Sequence, residues 1–251
     1  MNIRPDLSTN QTGGEATIMD IEAQKKAAAE AALAYIEDGM KVGLGTGSTA
    51  NYFIDALGEK VRAGLNVTCV PTSIASEERA RALGIPLAAL DDLPELDVTV
   101  DGADEIHPDG LVLIKGGGGA LTREKIVAAS SARMVVIADS TKLMTAETFG
   151  RFPLPVEILP FGAQATILKI RRVLDALGLS GELKIREKDG QPFITDNGGL
   201  IVDCHLGHID QPAALAEALI AIPGVVEQGL FVGIATTALV ATEEGVQTLN
   251  A

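Results

Sequence analysis

Short apolar segments with strand character alternate with helical segments between residues 20 and 141, and no other feature of the sequence constrains the fold as much. Several of these apolar segments lack a strict period of two, which is typical of strands buried on both faces of a sheet. Strands joined by helices pair in parallel, so we predict an α/β fold with a doubly wound, mainly parallel sheet. The predicted strands are KVGLGT, NVTCVPTS, LDVTVDGADE, LVLIKG and MVVIADST, and the predicted helices cover 20–38, 48–64, 76–84 and 121–132.

A second pattern begins at FPLPVEILP, where three prolines within eight residues indicate a boundary. The order strand, helix, two strands around the turn signal Lys188-Asp189-Gly190, strand, helix and strand predicts a smaller ferredoxin-like α+β domain inserted into the first. The tail LFVGIATTALVATEEGV supplies one or two strands that could rejoin the first sheet. We predict a disordered leader at 1–18, a Rossmann-like domain at 19–151 and 228–251, and the small domain at 152–227.

Charge and cysteine usage exclude several classes of function. The 20 Lys and Arg residues against 34 Asp and Glu residues give a formal net charge of −14, which disfavours binding to nucleic acid or to an anionic membrane. The polar leader lacks the apolar segment of a signal peptide or a membrane anchor. Cys69 and Cys204 lie in apolar, strand-like segments, which indicates buried thiols rather than a disulfide framework. We therefore expect a cytoplasmic protein whose ligand is a small molecule.

The segment GLGTGSTA, residues 43–50, joins a predicted strand to a predicted helix, a geometry that binds phosphate through backbone N–H groups and the helix dipole. It also satisfies the dinucleotide pattern G-x-G-x-x-A, but the next strand ends without the acid that would bind a ribose. A tight turn without a ligand is the alternative. The hydroxyl groups of Thr46, Ser48 and Thr49 favour an anion site.

Further polar residues follow the ends of later predicted strands, where ligands bind in open parallel sheets. Asp101 and Asp104 lie in DGADEI, Lys115 precedes four glycines, Glu124 lies in the first turn of the next helix, and Lys142 ends ADSTK. Each has an ordinary alternative: a solvated loop, a helix-start glutamate stabilised by the helix dipole, or a solvated lysine. The three histidines show no metal-ligand spacing with these acids, so no metal site is predicted.

The glycines Gly116 to Gly119 favour a ligand site over these ordinary alternatives. Glycine loses more conformational freedom on folding than any other residue, so a run of four indicates positive φ angles or a close approach of another group to the backbone. Backbone amides in such a loop could bind an anionic transition state. We therefore predict one cleft that collects both loops, the acids and the two lysines.

The motifs GTGSTA, DGADEI, KGGGGALTREK, ADSTK, FPLPVEI, TDNG and IPGVVEQGLF occur in this order, and on them the sequence resembles the type A ribose-5-phosphate isomerases. The resemblance extends from Asp20 to the C terminus. It implies the interconversion of D-ribose 5-phosphate and D-ribulose 5-phosphate through a cis-enediolate, in the non-oxidative pentose phosphate pathway, with neither a metal nor an organic cofactor. It also leads us to expect a homo-oligomer, a dimer or a tetramer.

Roles of single residues follow from the same resemblance. Glu124 matches the base that moves a proton between C1 and C2, and Asp101, Asp104 and Lys115 match residues around the reacting oxygens. Which of the two aspartates assists ring opening stays undecided. Gly119 stands where some relatives have alanine. The substrate-binding positions implied are Thr46, Gly47, Ser48, Thr49, Asp101, Gly102, Ala103, Asp104, Lys115, Gly116, Gly117, Gly118 and Lys142, with the phosphate assigned chiefly to the first loop and Lys142.

Two other classes of function share this kind of architecture. One is a related sugar-phosphate enzyme, such as an amino-sugar phosphate deaminase or a transferase of the CoA-transferase type with a glutamate nucleophile. The other is a regulator domain that senses sugar phosphates. The regulator is disfavoured because such proteins carry a basic DNA-binding segment, whereas the leader contains Arg4 as its single basic residue.

Overall fold

The computed structural model of the protein describes residues 20–251, so the predicted leader lies outside the described residues. Among these residues the helices are α1 Ile21–Ala32, α2 Ser48–Arg62, α3 Ile74–Ala82, α4 Leu121–Ala129, α5 Ala163–Ala176 and α6 Pro212–Ile220. The strands are β1 Lys41–Leu44, β2 Thr68–Pro71, β3 Val98–Gly102, β4 Glu105–Ile106, β5 Leu113–Ile114, β6 Met134–Asp139, β7 Leu154–Ile158, β8 Glu182–Ile185, β9 Glu187–Lys188, β10 Gln191–Pro192, β11 Leu200–His205, β12 Val225–Gln228, β13 Leu230–Phe231, β14 Thr237–Thr242 and β15 Gly245–Asn250.

The largest sheet has six strands in the order β15-β14-β6-β3-β1-β2. Its strands pair in parallel except at the edge, where β15 pairs antiparallel with β14. The doubly wound, mainly parallel sheet is therefore confirmed, and so is the return of the tail to it. On one face, Phe53 and Leu57 of α2 pack with Leu44, Val100 and Ile137 in the largest apolar cluster.

The start of α1 follows its sequence signals more closely than its end does. The Asp20 carboxylate accepts a hydrogen bond from the Ala23 N–H at 2.8 Å, as expected for an N-cap. The helix does not run to Gly39: it ends at Ala32 and tightens into a 3-10 turn over Leu33–Tyr35, a common way to satisfy the last carbonyl groups of a helix.

The predicted strand LVLIKG does not belong to the large sheet. Its ordered part, β5, pairs antiparallel with β4 and with β13 in a separate three-stranded sheet. Only six residues separate β4 from β5, whereas a parallel neighbour needs a crossover connection of a dozen or more residues. The short link between Ile106 and Leu113 therefore forces an antiparallel pair.

Four of the remaining strands form an antiparallel sheet in the order β12-β7-β11-β8, with α5 and α6 in the connections, and β9 and β10 form a separate pair. This is the split βαβ arrangement that the sequence predicts. The turn Asp189-Gly190 has positive φ angles of 53° and 74° and joins β9 to β10, so the predicted hairpin turn is present. The hairpin is shorter than predicted, because β8 pairs with β11 instead.

Two further sequence predictions concern burial and the membrane. Cys69 and Cys204 are free thiols, both buried, as their apolar neighbours predict. None of the helices within residues 20–251 combines the length and the apolar character needed to cross a bilayer.

Candidate active site

The loop between β1 and α2 forms one wall of a cleft at the carboxyl ends of the parallel strands. At Gly45 the backbone lies so close to Asp101 that a Cβ would fall 2.1 Å from its Oδ1 atom. Gly47 has a φ angle of +112° and precedes α2, whose first turn has no side-chain cap. The Thr46 hydroxyl lies 2.7 Å from Thr72 Oγ1 and 2.8 Å from Ser73 Oγ. This hydroxyl cluster fixes the loop, and Ser48 and Thr49 of the first turn of α2 line the cleft.

Asp101 is fully buried at the end of β3. Its Oδ1 atom accepts hydrogen bonds from the N–H groups of Thr46, at 3.0 Å, and Gly102, at 2.7 Å. Its Oδ2 atom lies 3.0 Å from Lys115 Nζ. Asp101 therefore supports the first loop and Lys115 from behind, and it is not part of the cleft wall.

Lys115 lies at the centre of the site with 2 % of its surface exposed. Its ammonium group donates to the Gly102 carbonyl at 2.6 Å and to Glu124 Oε1 at 3.0 Å. It thus contacts Glu124 on one side and Asp101 on the other. Burial alone would lower the pKa of Lys115, but the charges of the two carboxylates outweigh burial and raise that pKa. Lys115 is therefore a permanently charged donor.

Glu124 is buried in the first turn of α4, as its position in the sequence predicts. Burial raises the pKa of Glu124 to about 8, although the charge of Lys115 opposes the shift. The Asp101 carboxylate, which shares the Lys115 ammonium with Glu124, raises the pKa of Glu124 by a smaller amount. Within residues 20–251, Glu124 Oε2 has no hydrogen-bond partner. Glu124 is one of the residues that line the cleft, and its unpaired Oε2 atom can accept a proton.

Three of the four glycines after Lys115 have a structural reason. Gly116 and Gly119 have φ angles of +105° and +83°. At Gly117 a Cβ would meet Asp104 Oδ1 at 2.4 Å, and at Gly119 it would meet the Phe193 ring at 2.5 Å. The Gly118 N–H, on the exposed part of the loop, bonds to no described residue and can donate to a ligand.

Asp104 lines the cleft next to the glycine loop. Its Oδ2 atom accepts a hydrogen bond from the Gly117 N–H at 2.7 Å. Burial raises the pKa of Asp104, and this N–H, Lys115 and Lys142 oppose the shift. Lys142 follows β6 in a 3-10 turn, is half-buried, and forms no ion pair with any residue of the described chain. An anion in the cleft would meet both Lys142 and the start of α2.

The structure brings the predicted positions together with one exception. The cleft is lined by Thr46, Gly47, Ser48, Thr49, Gly102, Ala103, Asp104, Lys115, Gly116, Gly117, Gly118, Glu124 and Lys142. Asp101 is the predicted site residue that does not line it. The prediction that Asp101 contacts a ligand directly is therefore not supported by its placement, because two N–H groups and Lys115 enclose its carboxylate.

Two residues from the second half of the chain, which sequence reasoning missed, hold parts of this site. Arg186 donates to the carbonyl groups of Gly116 and Gly117, at 2.8 and 3.0 Å. Glu157 is buried and accepts hydrogen bonds from Thr122 in α4 and from Thr195, the latter at 2.6 Å. A buried glutamate in the apolar strand PVEIL was a signal for a polar contact, whereas nothing in LKIRE distinguishes Arg186.

Among the described residues, no three or more His, Cys, Asp and Glu side chains form a group that could hold a metal ion. The chemistry of the cleft is instead that of a carboxylate, an ammonium group and exposed amides. Such a set can remove a proton from carbon and stabilise the anion that results.

Comparison with known proteins gives matches over most of the chain. The family model of ribose 5-phosphate isomerase A (phosphoriboisomerase A) matches residues 68–245. Ribose-5-phosphate isomerase A of Parvibaculum lavamentivorans is 54% identical over 235 residues, which cover 93% of this chain and 100% of that protein.

Solved structures agree with the sequence matches. Ribose 5-phosphate isomerase A from Methanocaldococcus jannaschii superposes with a TM-score of 0.84 at 41% identity, over 92% of this chain and 99% of the other. A D-ribose-5-phosphate isomerase in complex with phospho-erythronic acid superposes with a TM-score of 0.85 at 42% identity, over 93% and 100% of the two chains.

Proposed function

The chain belongs to the ribose 5-phosphate isomerase A family, which interconverts D-ribose 5-phosphate and D-ribulose 5-phosphate, and we propose that Glu124 is the base of this reaction. The observation that carries the proposal is the environment of the Glu124 carboxylate. It is buried beside the Lys115 ammonium, its Oε2 atom has no hydrogen-bond partner among residues 20–251, and its pKa is raised to about 8. A base with a pKa near the working pH is well suited to proton transfer.

The proposed proton path is balanced within the substrate. With the open-chain aldose in the cleft, Glu124 takes the proton from C2, and the electron pair of that bond moves toward the carbonyl oxygen to give a cis-enediolate. Glu124 then returns the proton to C1, while a hydroxyl proton passes from O2 to O1. The sum is an isomerisation with no net gain or loss of protons or electrons.

The negative charge of the enediolate needs donors that are already in place. Lys115 Nζ, 3.0 Å from Glu124 Oε1, is next to the base. The Gly118 N–H is a second donor without a partner in the described chain. We assign the enediolate oxygens to Lys115 and the glycine loop.

Ring opening must precede this chemistry, because the sugar is mostly cyclic in solution. Asp104 lines the cleft and Asp101 does not. We therefore assign ring opening and the transfer of the hydroxyl proton to Asp104, and the support of Lys115 to Asp101.

The phosphate is assigned to the first turn of α2 and to Lys142. The helix offers amides without a side-chain cap, and a helix N terminus favours an anion. A solved relative is in complex with phospho-erythronic acid, a phosphorylated acid, which supports a phosphorylated ligand for this family.

The homo-oligomer and the cytoplasmic location expected from the sequence stay predictions. A deaminase or CoA-transferase activity is not favoured, since the family match covers residues 68–245 and the relatives that match over more than 90% of this chain are isomerases.

The pH dependence of kcat/KM on ribose 5-phosphate, measured with EDTA present, tests the proposal. Glu124 must be ionised to accept a proton, so kcat/KM should rise with pH through an apparent pKa of about 8. A profile that stays flat between about pH 6 and pH 9 would contradict Glu124 as the base. Activity that EDTA removes and a divalent ion restores would contradict the mechanism without a metal.

A further inference from the structure

We propose that Arg186, between β8 and β9, is a positioning residue that holds the glycine loop in the shape the reaction needs. The inference rests on the proposed function, because the loop matters to turnover only if its amides bind the enediolate. Arg186 lies 69 and 70 positions along the chain from the two loop residues that it contacts, and its side chain is largely buried.

The guanidinium group of Arg186 is itself held in a fixed orientation. Its Nε and Nη2 atoms donate to the two carboxylate oxygens of Asp203, at 2.9 and 2.5 Å. This bidentate pair leaves Nη1 directed at the loop, where it donates to the Gly116 and Gly117 carbonyl groups. Asp203 thus fixes the orientation of the Arg186 guanidinium group, and Arg186 fixes the orientation of two carbonyl groups of the loop.

The bonds to Arg186 decide which way the peptide groups of the loop face. The Gly116 carbonyl accepts from Arg186 and from the Gly119 N–H at 2.9 Å, which closes the turn. With both carbonyl groups directed at the guanidinium, the Gly117 N–H reaches Asp104 and the Gly118 N–H stays exposed to the cleft. A Cβ at Gly119 would lie 2.5 Å from the Phe193 ring, and the Phe193 N–H donates to the Arg186 carbonyl at 2.8 Å.

A loop of four glycines has little conformational preference of its own. Without an external contact its amides would sample several orientations, and a donor that must reorient during the reaction stabilises an anion less well than one already in place. Arg186 supplies that contact. Lysine could not replace it, since one ammonium cannot bond to a carboxylate and to two carbonyl groups in this fixed planar arrangement.

The test compares Arg186→Ala with Arg171→Ala. Arg171 is a matched control, because its Nη1 atom donates from α5 to the Gly181 carbonyl at 2.6 Å, just before β8, and neither residue lines the cleft. Removal of one preorganised donor costs about 10² to 10³ in kcat, and here the donors are loosened rather than removed. We expect kcat of Arg186→Ala to fall at least about tenfold with KM changed only a few-fold, and kcat of Arg171→Ala to stay within about twofold of wild type.

Two further readouts separate positioning from a general loss of folding. Amide hydrogen exchange in the peptide 112–121 should be faster in Arg186→Ala than in Arg171→Ala. Methylguanidine should restore kcat several-fold in Arg186→Ala and leave the control unchanged. Should Arg186→Ala fail to fold, Arg186→Lys and Asp203→Asn serve instead, each with a smaller loss of kcat in the same direction.

The outcomes distinguish this inference from the proposed function. A kcat for Arg186→Ala within about twofold of Arg171→Ala, or loop exchange that is unchanged, overturns the inference whether or not Glu124 is the base. If Glu124→Gln retains turnover, the proposed function fails, and the exchange of peptide 112–121 still decides whether Arg186 holds the loop.

Discussion

Gly117→Ala tests whether the glycine loop is built around Asp104. A Cβ at this position would lie 2.4 Å from Asp104 Oδ1 and 3.0 Å from the Phe152 ring. Real Cβ atoms do not approach oxygen this closely, so either the Asp104 carboxylate or the loop must move. Either movement breaks the hydrogen bond of 2.7 Å from the Gly117 N–H to Asp104.

The loss of folding stability expected for Gly117→Ala has two parts. A hydrogen bond to a charged group contributes about 1.5 to 3 kcal/mol, and an extra methyl group in a well-packed place costs about 1 to 3 kcal/mol. The two parts overlap, because movement that relieves the contact also lengthens the bond. We expect the free energy of unfolding to fall by about 2 to 4 kcal/mol, measured by urea denaturation at neutral pH.

Gly118→Ala is the matched control. Its Cβ would meet only the Thr46 methyl group, at 3.3 Å, which a shift of a few tenths of an ångström relieves. Its φ angle is not in the positive region, so the smaller entropy of the unfolded chain offsets part of the cost. We expect a change within about 1 kcal/mol of wild type. Equal losses in the two variants would refute the role assigned to Gly117.

Two other predictions concern charges in the cleft. Lys142→Ala should weaken binding of ribose 5-phosphate by about 10- to 150-fold, the value of a charge-assisted contact, and an unchanged ratio of affinities for ribose 5-phosphate and ribose would contradict the phosphate assignment. The free energy of unfolding of Glu124→Gln, relative to that of wild type, should increase between about pH 5 and about pH 9. Folded wild type retains the Glu124 proton up to about pH 8, whereas the unfolded chain releases it near pH 4.5, so the free energy of unfolding of wild type falls as pH rises through this interval. Urea denaturation at several pH values measures this difference in the free energy of unfolding. A difference between Glu124→Gln and wild type that does not change with pH would contradict the prediction.

The sequence predicted the large sheet because its strands are continuous apolar segments with helices between them, and this pattern has few solutions. It misplaced LVLIKG because an apolar segment has the same composition in a parallel and in an antiparallel sheet. The distinguishing signal was the short link from Ile106 to Leu113, too short for a crossover. The division into 19–151 with 228–251 and 152–227 stays a prediction.

The cleft was predictable for a different reason. Loops that follow the strands of one sheet meet at one edge, so motifs far apart in sequence could be assigned to one site. Which aspartate lines the cleft was not predictable. Nothing in DGADEI distinguishes Asp101 from Asp104 as a ligand-contacting residue, yet of these two only Asp104 lines the cleft. Arg186 was out of reach of pattern reasoning because its contacts depend on how the small sheet packs against the glycine loop.

The most direct test of the account is the behaviour of Glu124→Gln with ribose 5-phosphate in deuterated water. Glutamine keeps the shape of the side chain but cannot accept the C2 proton, so we expect kcat to fall by at least about 10² to 10⁴-fold with KM changed only a few-fold. Exchange of the C2 hydrogen with solvent should stop as well, since exchange reports proton removal independently of product formation. A folded Glu124→Gln protein with nearly full turnover and continued C2 exchange would contradict the claim that Glu124 is the base.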